Sequence, residues 1–286
     1  MKKFELTAEF VTNVFGKKLF RIKALVAFGN VEKGELGGFI EKEDNLSHDG
    51  NAWVSGNAWV SGNARVSNSA QVYGDARVSD SAEVSGNAWV SGDAEVSGNA
   101  EVYGDARVYG DAEVSGNAWV SGNAWVSGDA LVSGNARVYG DARVSGNARV
   151  SGNARVSNSA QVYGDARVSG DALVSGNARV SGDARVSGNA RVSGNARVSN
   201  SAQVYGDADY ATVKGFGRFF RATTFFRCKD KILRVQCGCF YGDLEQFREI
   251  VKKTHGDSKR AKEYLAIADL MELHFSDEEE NQEADE

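Results

Sequence analysis

Residues 51–74 read NAWVSGNAWVSGNARVSNSAQVYG, and the same pattern runs on to Gly206 as 26 consecutive hexads without insertion or deletion. Each hexad has the form [N/D/S]-A-x-V-[S/Y]-[G/N/D]. Ala and Val stand two apart, so on an extended chain they point to one side while x points to the other. The inward set is small and aliphatic; the outward set is Trp, Arg, Glu, Gln or Leu. The last position is Gly in 22 hexads, the exceptions being Asn68, Asp80, Asn158 and Asn200. Asn and Asp are the side chains that best tolerate a left-handed backbone, so this position predicts a tight corner with positive φ. Strand and corner alternating every six residues describe a β-solenoid.

The repeated V-S-G-N-A-R resembles the hexapeptide repeat of the left-handed parallel β-helix, as in the bacterial hexapeptide transferases. The resemblance implies an aliphatic core residue, a small residue four later, and three hexads to each triangular coil. Val54 with Ala58, and so on to Val198 with Ala202, occupy those positions. Gly follows Val by two residues here rather than by one, which implies a variant corner. The left hand of the coil comes from the resemblance alone. Eighteen residues per coil give between eight and nine coils, a rod about 42 Å long at a strand spacing of ~4.8 Å. Open ends of such a rod are unpaired sheet edges, so both flanks are expected to cap it.

The expected organisation is an N-terminal cap over 1–50, the β-helix over 51–210, a C-terminal ββαα module over 211–275 and an acidic tail over 276–286. In the first of these, KKLFRIKALVAF (17–28) alternates like a strand. The following GELGGFIEKEDNLSHDGNAWV (34–54) resembles the lead-in of uncharacterised YdcK-like hexapeptide proteins and of prophage-encoded relatives. In the module, TFFRCKDKILRVQCGCF (224–240) reads as a hairpin turning at Lys229–Lys231. Asp243 reads as the N-cap of a helix over LEQFREIVKKT, and a second helix runs from about Ser258 to Phe275. This module resembles one found in phage and prophage proteins of unknown function. The tail, with a single Ala among polar residues, reads as disordered.

Composition excludes several classes. The chain has 286 residues, no Pro, 3 Cys and a net charge of -6. The absence of Pro argues against a collagen-like or polyproline architecture. Three cysteines fit a reducing compartment better than a disulfide-stapled fold. The start MKKFELTAEF lacks the apolar run of a signal peptide, and no 18-residue apolar stretch reads as a membrane span. A cytoplasmic location is therefore expected, within a host cell if the chain is phage-encoded.

Few residues offer chemistry. The transferases that the repeat resembles use a histidine near a coil edge, yet the 26 hexads contain no His, Lys or Cys. His48, just before the first hexad, is the one candidate base, against a plainer place as a polar cap residue. His255, in T-H-G-D, suits a helix C-terminus. Cys228, Cys237 and Cys239 with His255 compose a Cys₃His set suited to zinc, although C-x-C is closer than the usual ligand spacing. Burial as small hydrophobes is the commoner fate of cysteine.

Outward residues at every third hexad give one face as Trp53, Gln71, Trp89, Arg107, Trp125, Arg143, Gln161, Arg179 and Arg197. Charge also divides along the rod. Residues 51–134 carry 3 Arg against 10 Asp and Glu, or -7, while 135–206 carry 9 Arg against 4 Asp, or +5. A basic half with aromatic steps suits a nucleic acid backbone, but a solvated ladder in which Arg stacks on Trp is the plainer reading. SGNARVSNSAQVYGDA recurs at 61–76, 151–166 and 193–208. The second shift is seven hexads, not whole coils, so that copy lands on a different face. Growth by hexads favours length and regularity over any single-face site.

The expectation is a non-enzymatic scaffold of phage or prophage type, a dimer or trimer that also binds a partner macromolecule and needs no cofactor. Inhibition of a host protein, nucleic-acid binding and acyl transfer are the alternatives.

Overall fold

The computed structural model describes residues 1–206, 209–216, 222–227 and 232–276. Each hexad forms a two- or three-residue strand beginning at its outward residue, from Trp53–Val54 to Gln203–Val204. Each strand pairs in parallel, in register, with the strand three hexads on: Trp53 opposes Gln71, and Trp89 opposes Arg107. Three sheets result, one per face of a β-solenoid. Every hexad Ala and Val is buried at 0–1% exposure, forming one continuous core down the rod.

The corners behave as the sequence predicts. Asn68, Asp80, Asn158 and Asn200 have φ of 60°, 59°, 57° and 57°, close to the values of most corner glycines. Stacking explains why Gly dominates. A Cβ at Gly74 would stand 3.0 Å from the Gly92 nitrogen of the next coil. The four non-glycine corners each have Gly eighteen residues on where the repeat continues, so no two Cβ-bearing corners stack.

At the N-terminal end, β1 (Phe4–Thr12), β2 (Lys18–Ala24) and β3 (Leu36–Ile40) form an antiparallel meander. β3 then pairs in parallel with Trp59–Val60, and Leu46 bridges to Val66. Coiling thus begins inside the lead-in, with Ile40 and Leu46 in the places that Val takes in the hexads. Gly38 stands where a hexad has Ala, since a Cβ there would meet the Ala58 carbonyl at 2.6 Å. Phe4, Ile22, Ile40 and Leu46 close this end of the core.

At the other end, Tyr210–Val213, Thr223–Arg227, Leu233–Cys237 and Phe240–Asp243 form an antiparallel sheet carrying α1 (Leu244–His255) and α2 (Lys259–Phe275). The expected hairpin pairs as read, with Phe225 opposite Val235, but its turn at 228–231 lies outside the described residues. Two outer strands add to it; the sequence reading leaves them out because four residues are too few for an alternation to register. Asp243 caps α1 by accepting from the Gln246 N–H at 2.8 Å, and Ser258 caps α2. Phe226, stacked on Tyr241, joins the rod's core, and the Arg197 N–H of the last coils donates to Thr224 Oγ1. Residues 277–286 of the expected tail lie outside the described residues.

Candidate functional site

His48 lies beside an open groove of about 930 Å³ at the N-terminal end, lined also by Lys42, Glu43, Asp44 and Arg65. Its ring stacks on Phe4 at 4.3 Å. Nδ1 accepts from the Lys3 backbone N–H at 3.1 Å, and Nε2 meets Glu43 Oε1 at 2.8 Å. The Nδ1 lone pair is therefore occupied and the proton sits on Nε2. Hydrogen bonds from Lys2 and His48 hold the Glu43 carboxyl below its ordinary range. With both ring nitrogens committed, His48 joins the cap together and offers no lone pair to a substrate.

The face that begins at Trp53 forms in the expected order. Trp53 itself is a correction: the hexad pattern counts it among outward binding residues, and it is 2% exposed. The ring is covered by the lead-in, edge-on to Phe28 at 5.4 Å, and its buried Nε1 finds no hydrogen-bond partner. Further along, Trp89, Arg107, Trp125 and Arg143 make one alternating stack. The Arg107 guanidinium lies 5.0 Å from the Trp89 ring and 5.4 Å from that of Trp125, which Arg143 covers at 4.7 Å from its other side. These four side chains lean on one another, as the cation–π reading expects. Arg179 and Arg197 stand beyond Gln161 on the same face, outside the stack.

A second face, which the sequence reading does not single out, gathers more varied groups. It runs Arg65, Glu83, Glu101, Trp119, Arg137, Arg155, Leu173, Arg191, in register throughout. Arg137 lies 4.6 Å over the Trp119 ring, and Tyr103 meets it edge-on at 6.3 Å. With Ser121, Tyr139 and Arg155 they line a shallow depression of about 230 Å³. One edge of this face is a hydrogen-bonded amide ladder, Asn99 to Asn117 to Asn135 to Asn153, ending on the acceptor-only carboxylate of Asp171. Reading every third hexad from Arg65 rather than from Trp53 is the signal that finds it.

The third face carries the charge split most openly. Glu95 and Glu113 precede Leu131, and Arg149, Arg167 and Arg185 follow it on successive coils. Among the described residues Arg77–Glu95, at 3.1 Å, is the one ion pair between solenoid coils, and Arg149, Arg155, Arg167, Arg179 and Arg185 make none.

The candidate Cys₃His set is not seen together among the described residues, where no three metal-ligating side chains gather. Cys237 accepts from Thr223 Oγ1 at 3.2 Å, Cys239 is exposed, and His255 stacks on Tyr264 at 5.9 Å. Cys228 lies outside the described residues.

Two family models match parts of the chain. Residues 124–216 match the bactofilin model, described as polymer-forming cytoskeletal. Residues 58–72 and 70–86 match the YdcK β-solenoid repeat. Each is a likeness over part of the rod, and together with the fold they identify a β-helix repeat protein. No curated protein matches the chain.

Proposed function

We propose that the chain is a non-enzymatic, self-associating scaffold: a rigid rod that works by assembling with copies of itself. The observation that carries this reading is the match of residues 124–216 to a polymer-forming cytoskeletal family, over the half of the rod that bears most of the arginines. The geometry supports it. Three flat, regular faces present repeated side chains at fixed intervals, and His48, the sole histidine offered for acyl transfer, has both nitrogens engaged within the cap. Both ends of the core are covered by the flanking segments, which leaves the faces as the surfaces open to a partner. A phage or prophage setting, a cytoplasmic location and a second macromolecular partner rest on the sequence alone.

Sedimentation velocity over a wide concentration range tests the reading. A dimer or larger assembly is expected at micromolar concentration, and a monomer throughout overturns it.

The unpaired arginines support a second reading, binding of a nucleic acid backbone along the basic half. Retention of the full chain on single-stranded DNA that weakens steeply with salt is its mark. Passage through such a column at about 50 mM salt removes it.

A further inference from the structure

The face centred on Trp119 has a self-complementary charge pattern, and we infer that it is the surface on which two copies pair, antiparallel and face to face. This deepens the self-association proposed above and rests on it.

Register produces the complementarity. Coil by coil, the charges on this face are Arg65, Glu83, Glu101, the neutral Trp119, Arg137, Arg155 and then Asp171 beside Leu173. The outward signs run plus, minus, minus, zero, plus, plus, zero, with Asp171 adding a minus at the edge of the last coil. Rotation by 180° about an axis along the strands at Trp119 reverses the coil order and turns the face onto its copy. Glu101 then opposes the second copy's Arg137 and Glu83 opposes its Arg155, while Arg65 lies over its Leu173, with Asp171 two residues away at the edge of that coil. Both directly opposed charge pairs join opposite signs and each occurs twice, which is what an isologous two-fold interface demands.

The uncharged positions obey the same symmetry. Tyr103 and Tyr139 lie one coil to either side of Trp119 and exchange places under the rotation, so three aromatic side chains from each copy meet at the centre. The Asn99–Asn153 amide ladder keeps one edge of the face free of carboxylates between these coils. At the other edge, Asp105 and Asp141 take amide hydrogen bonds from Asn87 and Asn123, on the neighbouring face. Seven coils at ~4.8 Å by one side of the triangle bury on the order of 500 Å² per copy, about 1,000 Å² in all, at the threshold for a specific dimer. The other faces match this less well. The outward column of the Trp53 face has no acid to oppose its arginines. On the third face Glu113 and Glu95 would oppose Arg149 and Arg167 about Leu131, but Arg77 would oppose Arg185, and in the corner column Asp129 would oppose itself, Asp93 would oppose Asp165 and Asp75 would oppose Asp183.

Two charge-reversed chains test the pairing. The variant Arg137→Glu/Arg155→Glu carries acids on both sides of Trp119, and Glu83→Arg/Glu101→Arg carries arginine on both. Circular dichroism first confirms that each retains the solenoid. Each alone is expected to associate at least about tenfold more weakly than the unaltered chain. An equimolar mixture is expected to recover association as a heterodimer, resolved by its mass in native mass spectrometry. If both variants associate as the unaltered chain does, or if mixing restores nothing, this interface is wrong while self-association through another surface stands. If the unaltered chain itself stays monomeric, the scaffold reading falls with it.

Discussion

Lys3 Nζ lies 2.9 Å from the carbonyl oxygen of Ala52, with the Gly50 carbonyl at 3.4 Å, in a side chain only 3% exposed. A buried ammonium therefore occupies the open edge of the first full coil, and Phe28 lies 4.6 Å from it. The cap meets the rod through these Lys3 hydrogen bonds as well as through the apolar plug beneath it.

Burial lowers the Lys3 pKa to about 8, against the opposing pull of Asp49. In the unfolded chain the same group titrates at about 10.4. Below pH 8 both states hold the proton and the cost of the buried charge is fully present. Between pH 8 and about 10.4 the unfolded chain holds a proton that the folded chain has lost, so this group makes stability rise with pH. The stability of the unaltered chain minus that of Lys3→Met, followed by urea unfolding, should climb across this window and be flat below it. A difference that is flat throughout would show the ammonium to be as well solvated folded as unfolded.

Phe226 is fully buried against the last coils and stacks on Tyr241. Phe226→Ala should cost roughly 3–5 kcal/mol in urea unfolding and expose a sheet edge, promoting aggregation on heating. A loss below about 1 kcal/mol would mean the module is not the rod's stopper.

Gly110 has φ of 75°, and a Cβ added there would stand 3.0 Å from the Gly128 nitrogen. Gly110→Ala should therefore lower stability by about 1–3 kcal/mol. Asn at the same position should cost less, since its side chain tolerates the left-handed region. Thermal unfolding of the two variants checks the order; Ala at least as stable as Asn would contradict the corner argument.

Asn117 both donates to Asn135 and accepts from Asn99. Asn117→Ala removes two exposed amide hydrogen bonds and should cost about 0.5–1.5 kcal/mol, measured by the same unfolding. Asn147 makes a single amide bond, to Asp165, and its substitution should cost about half as much.

Purified full-length chain should contain well under one zinc per molecule by elemental analysis, given where Cys237, Cys239 and His255 lie among the described residues. Stoichiometric zinc would place Cys228 and its neighbours in a site.

The repeat determined the solenoid. Because Ala and Val alternate with x at a strict period of six, one arrangement buries every hexad Ala and Val and gives each corner to a residue that accepts positive φ. The column containing Trp89, Arg107, Trp125 and Arg143 follows from the same period, since whole coils are whole multiples of eighteen residues. Contacts between segments distant in the chain set the rest. The burial of Trp53 depends on Phe28 and the lead-in folding over it. The engagement of both His48 nitrogens depends on Lys3 and Glu43 arriving from elsewhere. The sign-reversing face about Trp119 is written in the sequence, yet it gains meaning only when coils stack in register and place Glu101, Trp119 and Arg137 on one flat surface. Local periodicity sets which way a side chain points; only packing between coils and caps decides what it meets.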